Sequence, residues 1–111
     1  MKDLKINVAP ACLTVLPEGE LDHHTVKDIR LACDPEIMKH KPRVIVLDFS
    51  HVTFMDTSGI GLILGRRNTA ERIGARVVLR GLSARLLRMV ELSGVLHLGG
   101  ISLDKSGGDE K

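Results

Sequence analysis

The chain has 111 residues and a formal net charge of +2, and 43% of its residues are hydrophobic although only 2% are aromatic. This length predicts one domain, because two separate cores would each approach the size at which folding becomes marginal. We expect that domain to cover residues 1–104, followed by a flexible polar tail at 105–111. Basic residues are spread along the chain, and Trp and Tyr are absent. Direct nucleic-acid binding through a basic cluster and stacked bases is therefore not expected.

The cysteines and the hydrophobic runs indicate the compartment. Cys12 and Cys33 have neither a CxxC partner nor metal-ligand spacing, and the N-terminus does not resemble a signal segment. The longest hydrophobic runs, such as 44–47 and 60–64, are far shorter than the roughly 20 residues that cross a bilayer. We therefore expect a reduced, cytoplasmic protein with no membrane segment, in which both cysteines are buried by packing.

The first elements should be two strands and a helix. Residues 4–8 alternate between apolar and polar types, and residues 12–16 resume the apolar pattern after a break, which predicts a hairpin. A turn is expected at 18–22, followed by a helix that begins near His23 with Asp22 as its N-cap.

A proline should interrupt this first helix. Pro35 lies inside the helical pattern and would remove a backbone hydrogen bond, so we expect a kink or a restart with Asp34 as the new cap. Residues 43–49 are then apolar almost without alternation, which is typical of a central strand covered on both faces.

The second helix should begin at a cluster of capping residues and end at Gly74. Asp56, Thr57 and Ser58 are all N-cap types, so at least one should bond the free amide hydrogens that start the helix. Arg66 is expected among its polar positions. A hydroxyl left exposed at this start would face the positive end of the helix dipole. A phosphate there would add about 1.5 to 2 negative charges in a favourable place.

Glycines inside this second helix need an explanation, because glycine lowers helix stability. They are Gly59, Gly61 and Gly65. A dinucleotide-binding fingerprint needs its glycines in the turn directly after a strand, whereas all three here fall within the helix pattern. Close packing of the helix on the sheet or on a partner is the favoured interpretation.

The last third of the chain predicts a strand, a helix and a short edge strand. The strand covers 76–80, and Ser83 caps a helix that Gly94 ends. An edge strand is expected within 95–101. The order of elements predicts an α/β fold in which a mixed sheet of about four to five strands packs against helices.

Local chemistry does not predict an enzyme. Ser58 lacks the Gly-x-Ser-x-Gly context of a hydrolase nucleophile, and only folding could bring it a base. His23 and His24 are adjacent, so their side chains diverge around a helix and cannot chelate one metal. The histidines expected at the surface or as caps are His40, His51 and His97. We expect no catalytic residue, no metal and no cofactor.

Three segments together carry a resemblance to a known family. Residues 19–25 read Gly-Glu-Leu-Asp-His-His-Thr, and residues 52–66 read Val-Thr-Phe-Met-Asp-Thr-Ser-Gly-Ile-Gly-Leu-Ile-Leu-Gly-Arg. Both resemble the STAS-domain anti-anti-sigma factors, most of all the sporulation antagonists of anti-sigma-F factors. Residues 85–94 are similar to that family's Arg-Leu-x-x-x-Ser-Gly pattern. The resemblance covers nearly the whole chain and implies a single STAS-type domain.

The resemblance also implies a phosphorylation switch. The phosphoacceptor would be Ser58, the serine directly before Gly59, and Thr57 stands where relatives often have a second serine. The partner would be an anti-sigma factor that is also a serine kinase, so ATP belongs to the partner. A PP2C-type serine phosphatase would remove the phosphate. The residues expected to contact the partner are Glu20, Asp22, His23, His24, Asp56, Thr57, Ser58, Gly59 and Ile60.

In this scheme the unmodified protein binds the anti-sigma factor and releases the sigma factor of the sporulation sigma-F pathway. Other functions of the same fold stay open. A general stress antagonist would use the same chemistry in another sigma pathway. A scaffold module of a stressosome or a transporter would come with extra domains or membrane spans. A nucleotide-binding or nucleotide-hydrolysing domain is the third alternative, and tight nucleotide binding by the isolated protein would favour it.

Overall fold

The computed structural model describes residues 4–104. In chain order, this part of the protein forms β1 (Leu4–Ala9), β2 (Cys12–Leu21), α1 (His23–His40), β3 (Val44–Asp48), β4 (His51–Met55), α2 (Thr57–Ile73), β5 (Arg76–Arg80), α3 (Ala84–Ser93), a short 3-10 helix (Val95–His97) and β6 (Ile101–Leu103). None of these helices is long and apolar enough to cross a membrane. The predicted tail at 105–111 lies outside the described residues.

One mixed sheet forms the body of the fold, with the strand order β1-β2-β3-β5-β6. β1 runs antiparallel to β2, whereas β2, β3, β5 and β6 are parallel to one another. The first half of β2 pairs with β3, and its second half, Glu18–Leu21, pairs in parallel with β4. The predicted α/β class with a mixed sheet is confirmed, and β3 lies at the centre as expected.

The sequence interpretation missed β4, so the predicted four to five strands become six among the described residues. Val52 and Met55 of this strand are buried while its other residues are exposed, which is not the strict alternation that predicts a strand. Its pairing partner is a segment that lies about thirty residues earlier in the chain. Local pattern therefore carried little information about this strand.

The same pairing explains why the turn expected at 18–22 is wrong. The chain stays extended through Leu21, because β4 supplies a hydrogen-bonding partner for this half of β2. The register shifts between Gly19 and Glu20 as at a β-bulge. Gly19 has a φ of 84°, a left-handed conformation that glycine adopts without steric cost.

Helix α1 runs through Pro35 as one element, so the expected restart is wrong. Asp34 does not cap a new helix, because its carboxylate faces Arg66 of α2. Asp34 Oδ1 lies 3.1 Å from Arg66 Nε, and Asp34 Oδ2 accepts a hydrogen bond from Nη2 at 3.2 Å. Arg66 is only 3% exposed, so it is a buried link between two helices and not a solvated polar position.

The helices cover one face of the sheet, where apolar side chains form rows across paired strands. One such row consists of Leu13, Ile45, Val77 and Ile101. Val46 alternates with these side chains and lies outside their cluster, so it points to the other face of the sheet. It is only 2% exposed, and β3 is thus buried on both faces, as predicted for the central strand.

The third helix and the last strand complete the core. Ser83 accepts a hydrogen bond from Leu86 N at 3.2 Å, and Gly94 ends α3, both as predicted. Leu86 is buried in the core. The last strand starts later than expected, because residues 95–97 form the 3-10 turn and β6 begins at Ile101.

The two free cysteines differ in burial. Cys33 of α1 is fully buried, as predicted, whereas Cys12 of β2 is only partly buried. Burial raises the pKa of the Cys33 thiol to about 11; the charge of Arg66 opposes this rise and that of Asp34 adds to it. The expectation of a packed, inert thiol therefore fits Cys33 better than Cys12.

Candidate functional site

The candidate site is built where two parallel strands end side by side. Leu21 of β2 and Met55 of β4 are register partners, and each is the last residue of its strand. The backbone N–H of Asp56 then donates to the carbonyl of Leu21 at 3.2 Å. Asp22 and Asp56 consequently stand next to each other in the fold, and each is followed by a helix.

Asp22 starts α1 through a reciprocal cap. Its Oδ1 accepts hydrogen bonds from the backbone N–H groups of His24 and Thr25, both at 3.0 Å. Thr25 Oγ1 in turn accepts from the backbone N–H of Asp22 at 2.8 Å. The hydrogen bond from the Thr25 backbone is the largest of several that lower the pKa of Asp22. The carboxylate is thus engaged in holding the helix start.

The capped start of α1 presents two histidines to solvent. His23 and His24 are exposed, and their ring centroids are 6.1 Å apart with an interplanar angle of 60°. Glu20, which precedes the cap, is exposed too. The histidines expected at the surface are also exposed, namely His40, His51 and His97. Within residues 4–104, no group of three His, Cys, Asp or Glu side chains is placed to hold a metal ion.

Asp56 starts α2 and leaves two hydroxyls beside it. Asp56 Oδ1 accepts a hydrogen bond from the backbone N–H of Ser58 at 2.8 Å, which confirms that a residue of this cluster caps the helix. Thr57 is exposed and Ser58 is partly buried. No side chain or backbone group among residues 4–104 hydrogen-bonds to either hydroxyl. Both oxygens are therefore available to an external group at the positive end of a helix.

The three glycines of α2 have different surroundings. A Cβ on Gly59 would overlap Cγ and Sδ of the buried Met55, so glycine is required for the helix to approach β4. Gly61 and Gly65 would place a Cβ in open space. The prediction of close packing on the sheet is thus right for Gly59 and wrong for the other two. Whether a partner approaches Gly61 and Gly65 stays a prediction.

An aromatic side chain at this edge escaped the sequence interpretation. Phe54 is 45% exposed and is the register partner of Glu20, so it lies beside the start of α1 as well as two residues before Asp56. Sequence reasoning missed Phe54 because it did not predict β4. Without a predicted strand, the alternation of side chains between the two faces could not be used to place this ring at the surface. An exposed aromatic ring is a common anchor of protein interfaces. Ile60 adds a partly buried apolar side chain on the first turn of α2.

All nine residues expected to contact a partner lie in the two segments that meet at this edge. One segment runs from Glu20 to His24 and the other from Asp56 to Ile60. Their exposure is not uniform, since Gly59 is buried and the two aspartates are committed to capping. Glu20, Asp22 and Asp56 give the edge a negative character before any modification. The edge thus brings the two predicted segments together and carries two hydroxyls that no group within residues 4–104 engages.

A family model of the STAS domain matches residues 3–106. The chain belongs to the STAS domain family. This STAS domain is 34% identical over 86 residues to the anti-sigma F factor antagonist of Paenibacillus polymyxa, which covers 78% of this chain and 74% of that protein. It is 29% identical over 84 residues to the anti-sigma-B factor antagonist of Listeria monocytogenes, covering 75% of this chain and 72% of that protein.

Solved structures have the same architecture as this STAS domain. The anti-sigma factor antagonist SpoIIAA in its unphosphorylated form aligns with a TM-score of 0.71 and 27% identity, covering 96% of this chain and 92% of that one. The Bacillus cell fate determinant SpoIIAA in its phosphorylated form aligns with a TM-score of 0.70 and 27% identity, covering 95% of this chain and 94% of that one. The predicted STAS-type fold is confirmed.

Proposed function

We propose that this STAS domain is an anti-sigma factor antagonist switched by phosphorylation of Ser58. The unmodified form binds an anti-sigma factor through the two segments that meet at the strand ends, and the bound sigma factor is released. The observation that carries the proposal is the free hydroxyl of Ser58 at the start of α2, beside the capped start of α1. Relatives named as anti-sigma factor antagonists support it.

The chemistry of the switch follows from where the new charge would sit. Glu20, Asp22 and Asp56 already make this edge negative, so a partner surface with basic groups is complementary to it. A phosphate on Ser58 adds about 1.5 to 2 further negative charges and the volume of a phosphoryl group inside the contact. If this added charge and volume cost about 2 to 4 kcal/mol of binding free energy, the affinity for the anti-sigma factor falls by roughly 30- to 1000-fold.

Phosphorylation should act on binding and not on folding. The positive end of α2 stabilises an anion by about 0.3 to 1 kcal/mol, which favours the modified form locally. The kinase is proposed to be the anti-sigma factor itself, so ATP is held by the partner and this chain is a substrate and a regulator. A PP2C-type serine phosphatase would restore the hydroxyl. Such a cycle is placed in the cytoplasm, where sigma factors meet RNA polymerase.

Two sigma pathways are candidates. The relative from Paenibacillus polymyxa is named for anti-sigma F, which supports the sporulation pathway. The relative from Listeria monocytogenes is named for anti-sigma-B, at a lower identity of 29%, and this supports a general stress pathway as the second candidate. We favour sigma-F on the higher identity.

A phosphorylation assay with two partners tests the proposal. The chain is incubated with ATP and either an anti-sigma F or an anti-sigma-B kinase, and the modified residue is mapped by mass spectrometry. We expect one phosphate on Ser58 with the first partner, and none in Ser58→Ala. Phosphate found on Thr57 would show that Thr57, and not Ser58, is the acceptor. If neither kinase transferred phosphate to the chain, the proposed switch would be refuted.

A further inference from the structure

The opposite end of the sheet from Ser58 carries a groove with a basic rim. It lies where β3 and β5 begin and where α1 and α2 end, and its volume is about 740 Å³. Lys41, Arg43, Val44 and Arg76 are among its lining residues. Lys41, Arg43 and Arg76 are exposed cations, and no carboxylate is among the lining residues.

The cations of this groove are not neutralised within the described part of the chain. No ion pair joins Lys41, Arg43 or Arg76 to an acidic side chain in residues 4–104. Other cations of the protein are paired, such as Arg67 with Glu71 and Arg80 with Asp104. Three unpaired positive charges around one concavity attract an anionic ligand.

The basic groove continues onto the face of the sheet to which Val46 points. A second cavity of about 390 Å³ is lined by residues of β2, β3, β5 and β6, and it shares Val44 and Arg76 with the first. Partly exposed apolar side chains of Val44, Val78 and Leu103 line this second cavity, and the paired Arg80 and Asp104 also border it. The surface therefore combines a charged entrance with an apolar floor.

We propose that this groove binds a short acidic segment of a partner protein, in which carboxylates alternate with apolar side chains. Carboxylates would pair with Arg43 and Arg76, for which the planar guanidinium offers two parallel hydrogen bonds. Apolar side chains would lie on the floor formed by Val44, Val78 and Leu103. Nucleic acid fits less well, because it offers no apolar groups for that floor and three cations neutralise few phosphates.

This proposal does not depend on the proposed switch. The groove lies at the amino ends of the parallel strands, whereas Ser58 follows a carboxyl end. Both surfaces can therefore be occupied on one molecule, and a charge at Ser58 should leave the groove unaffected. The Ser58→Asp variant distinguishes the groove from the proposed switch. We expect it to bind the anti-sigma factor more weakly and the acidic segment as strongly as the unaltered chain does.

A peptide titration followed by NMR tests the groove. The probe is a short peptide of alternating Glu and Val, added to the isotope-labelled chain, with a Lys and Val peptide as its control. We expect saturable shifts of the backbone amides of Lys41, Arg43 and Val44 and of residues 73–78 with the acidic peptide only. The double variant Arg43→Glu and Arg76→Glu should weaken this binding by roughly tenfold or more.

The matched control reverses two positive charges on a surface away from the groove. Arg85 and Arg88 of α3 are exposed and do not line the groove, so Arg85→Glu with Arg88→Glu should bind the acidic peptide as the unaltered chain does. If both double variants bound the acidic peptide equally weakly, the cause would be the net charge of the protein and not the groove. This result would overturn the proposal. Stronger shifts of the same amides by a single-stranded DNA or by phosphatidylserine vesicles would overturn the assignment to a protein segment.

Discussion

Asp22 and Asp56 follow residues that pair across two parallel strands, and each of them caps the helix that comes next. One strand pair thus places two helix starts side by side. A single residue, Asp22 or Asp56, separates each strand from its helix, and its carboxylate accepts hydrogen bonds from the first backbone N–H groups of that helix. A surface of this kind is largely formed in the free protein, which would limit the entropy lost in the proposed binding.

The Asp56 cap is expected to order the segment that carries the proposed phosphoacceptor Ser58. Asp56→Ala removes the acceptor of the Ser58 N–H and should lower the free energy of unfolding by about 0.5 to 2 kcal/mol. Amide exchange should become faster across 54–62. Thr57→Ala is the control, because that exposed side chain makes no hydrogen bond within residues 4–104. Unchanged exchange in Asp56→Ala would contradict the capping role.

Ser58 variants should separate binding from modification. Ser58→Ala keeps the helix cap, because the cap uses the backbone N–H, and it should bind the anti-sigma factor while accepting no phosphate. Ser58→Asp places a carboxylate in the contact and should bind roughly 30-fold or more weakly. Calorimetric titration with the anti-sigma factor measures both. Binding of Ser58→Asp at full strength would show that this position lies outside the interface.

Two glycines of α2 should respond in opposite directions to the same substitution. Gly59→Ala forces a Cβ into Met55 and should destabilise the fold by about 1 to 3 kcal/mol. Gly61→Ala meets no atom and should stabilise the fold by about 0.5 to 1 kcal/mol, because alanine favours the helix. Urea unfolding of both variants makes the comparison. Equal effects would disprove the tight approach at Gly59.

The Asp34–Arg66 pair should be more sensitive to loss of the acid than of the base. Asp34→Ala leaves a guanidinium that is 3% exposed without its partner, at a cost of about 3 to 5 kcal/mol. Arg66→Met fills the space, and the partly exposed Asp34 can hydrate, so this variant should cost less. The double variant should resemble Arg66→Met. Thermal unfolding of the three variants measures the loss of stability in each. If the loss in the double variant equalled the sum of the two single losses, Asp34 and Arg66 would not be coupled and the prediction would be wrong.

Breaking a surface pair provides the reference for that measurement. Arg67 and Glu71 are separated by 3.7 Å, and the Glu71 side chain is 67% exposed. Glu71→Ala should change stability by about 0.5 kcal/mol or less, because solvent screens such a pair.

Cys33 should make stability depend on pH in the alkaline range. The folded protein holds the thiol proton more tightly than the unfolded chain, whose ordinary pKa is 9.0, and the folded value is about 11. The contribution of the protonated Cys33 thiol to the free energy of unfolding is therefore complete below about pH 9 and is lost as the pH rises through 11. Urea unfolding as a function of pH measures this slope. Cys33→Ala should flatten it, whereas Cys12→Ala, the matched control, should not.

Local signals predicted the second helix well. Asp56 at its start and Gly74 at its end act through hydrogen bonds within a few residues, so the sequence around them contains the cause. The central strand and the cap at Asp22 were predicted for the same reason.

Features made by distant partners were not predictable in this way. β4 is held by β2, and Arg66 is buried because Asp34 of another helix neutralises it. The adjacency of the two helix starts depends on the same β2–β4 pairing. Only the resemblance to relatives brought the segments around Asp22 and Ser58 together before the fold was known.

Strand β2 pairs with β1 along one side and with β3 and β4 along the other. The residue that supports both helix starts, Leu21, ends this strand and is fully buried. The β2–β4 pairing at Glu18–Leu21 holds this edge, and β1 and β3 anchor the preceding half of β2, so we expect the edge to open only rarely. In the proposed cycle, one molecule can therefore bind and release its anti-sigma factor repeatedly without unfolding at this edge.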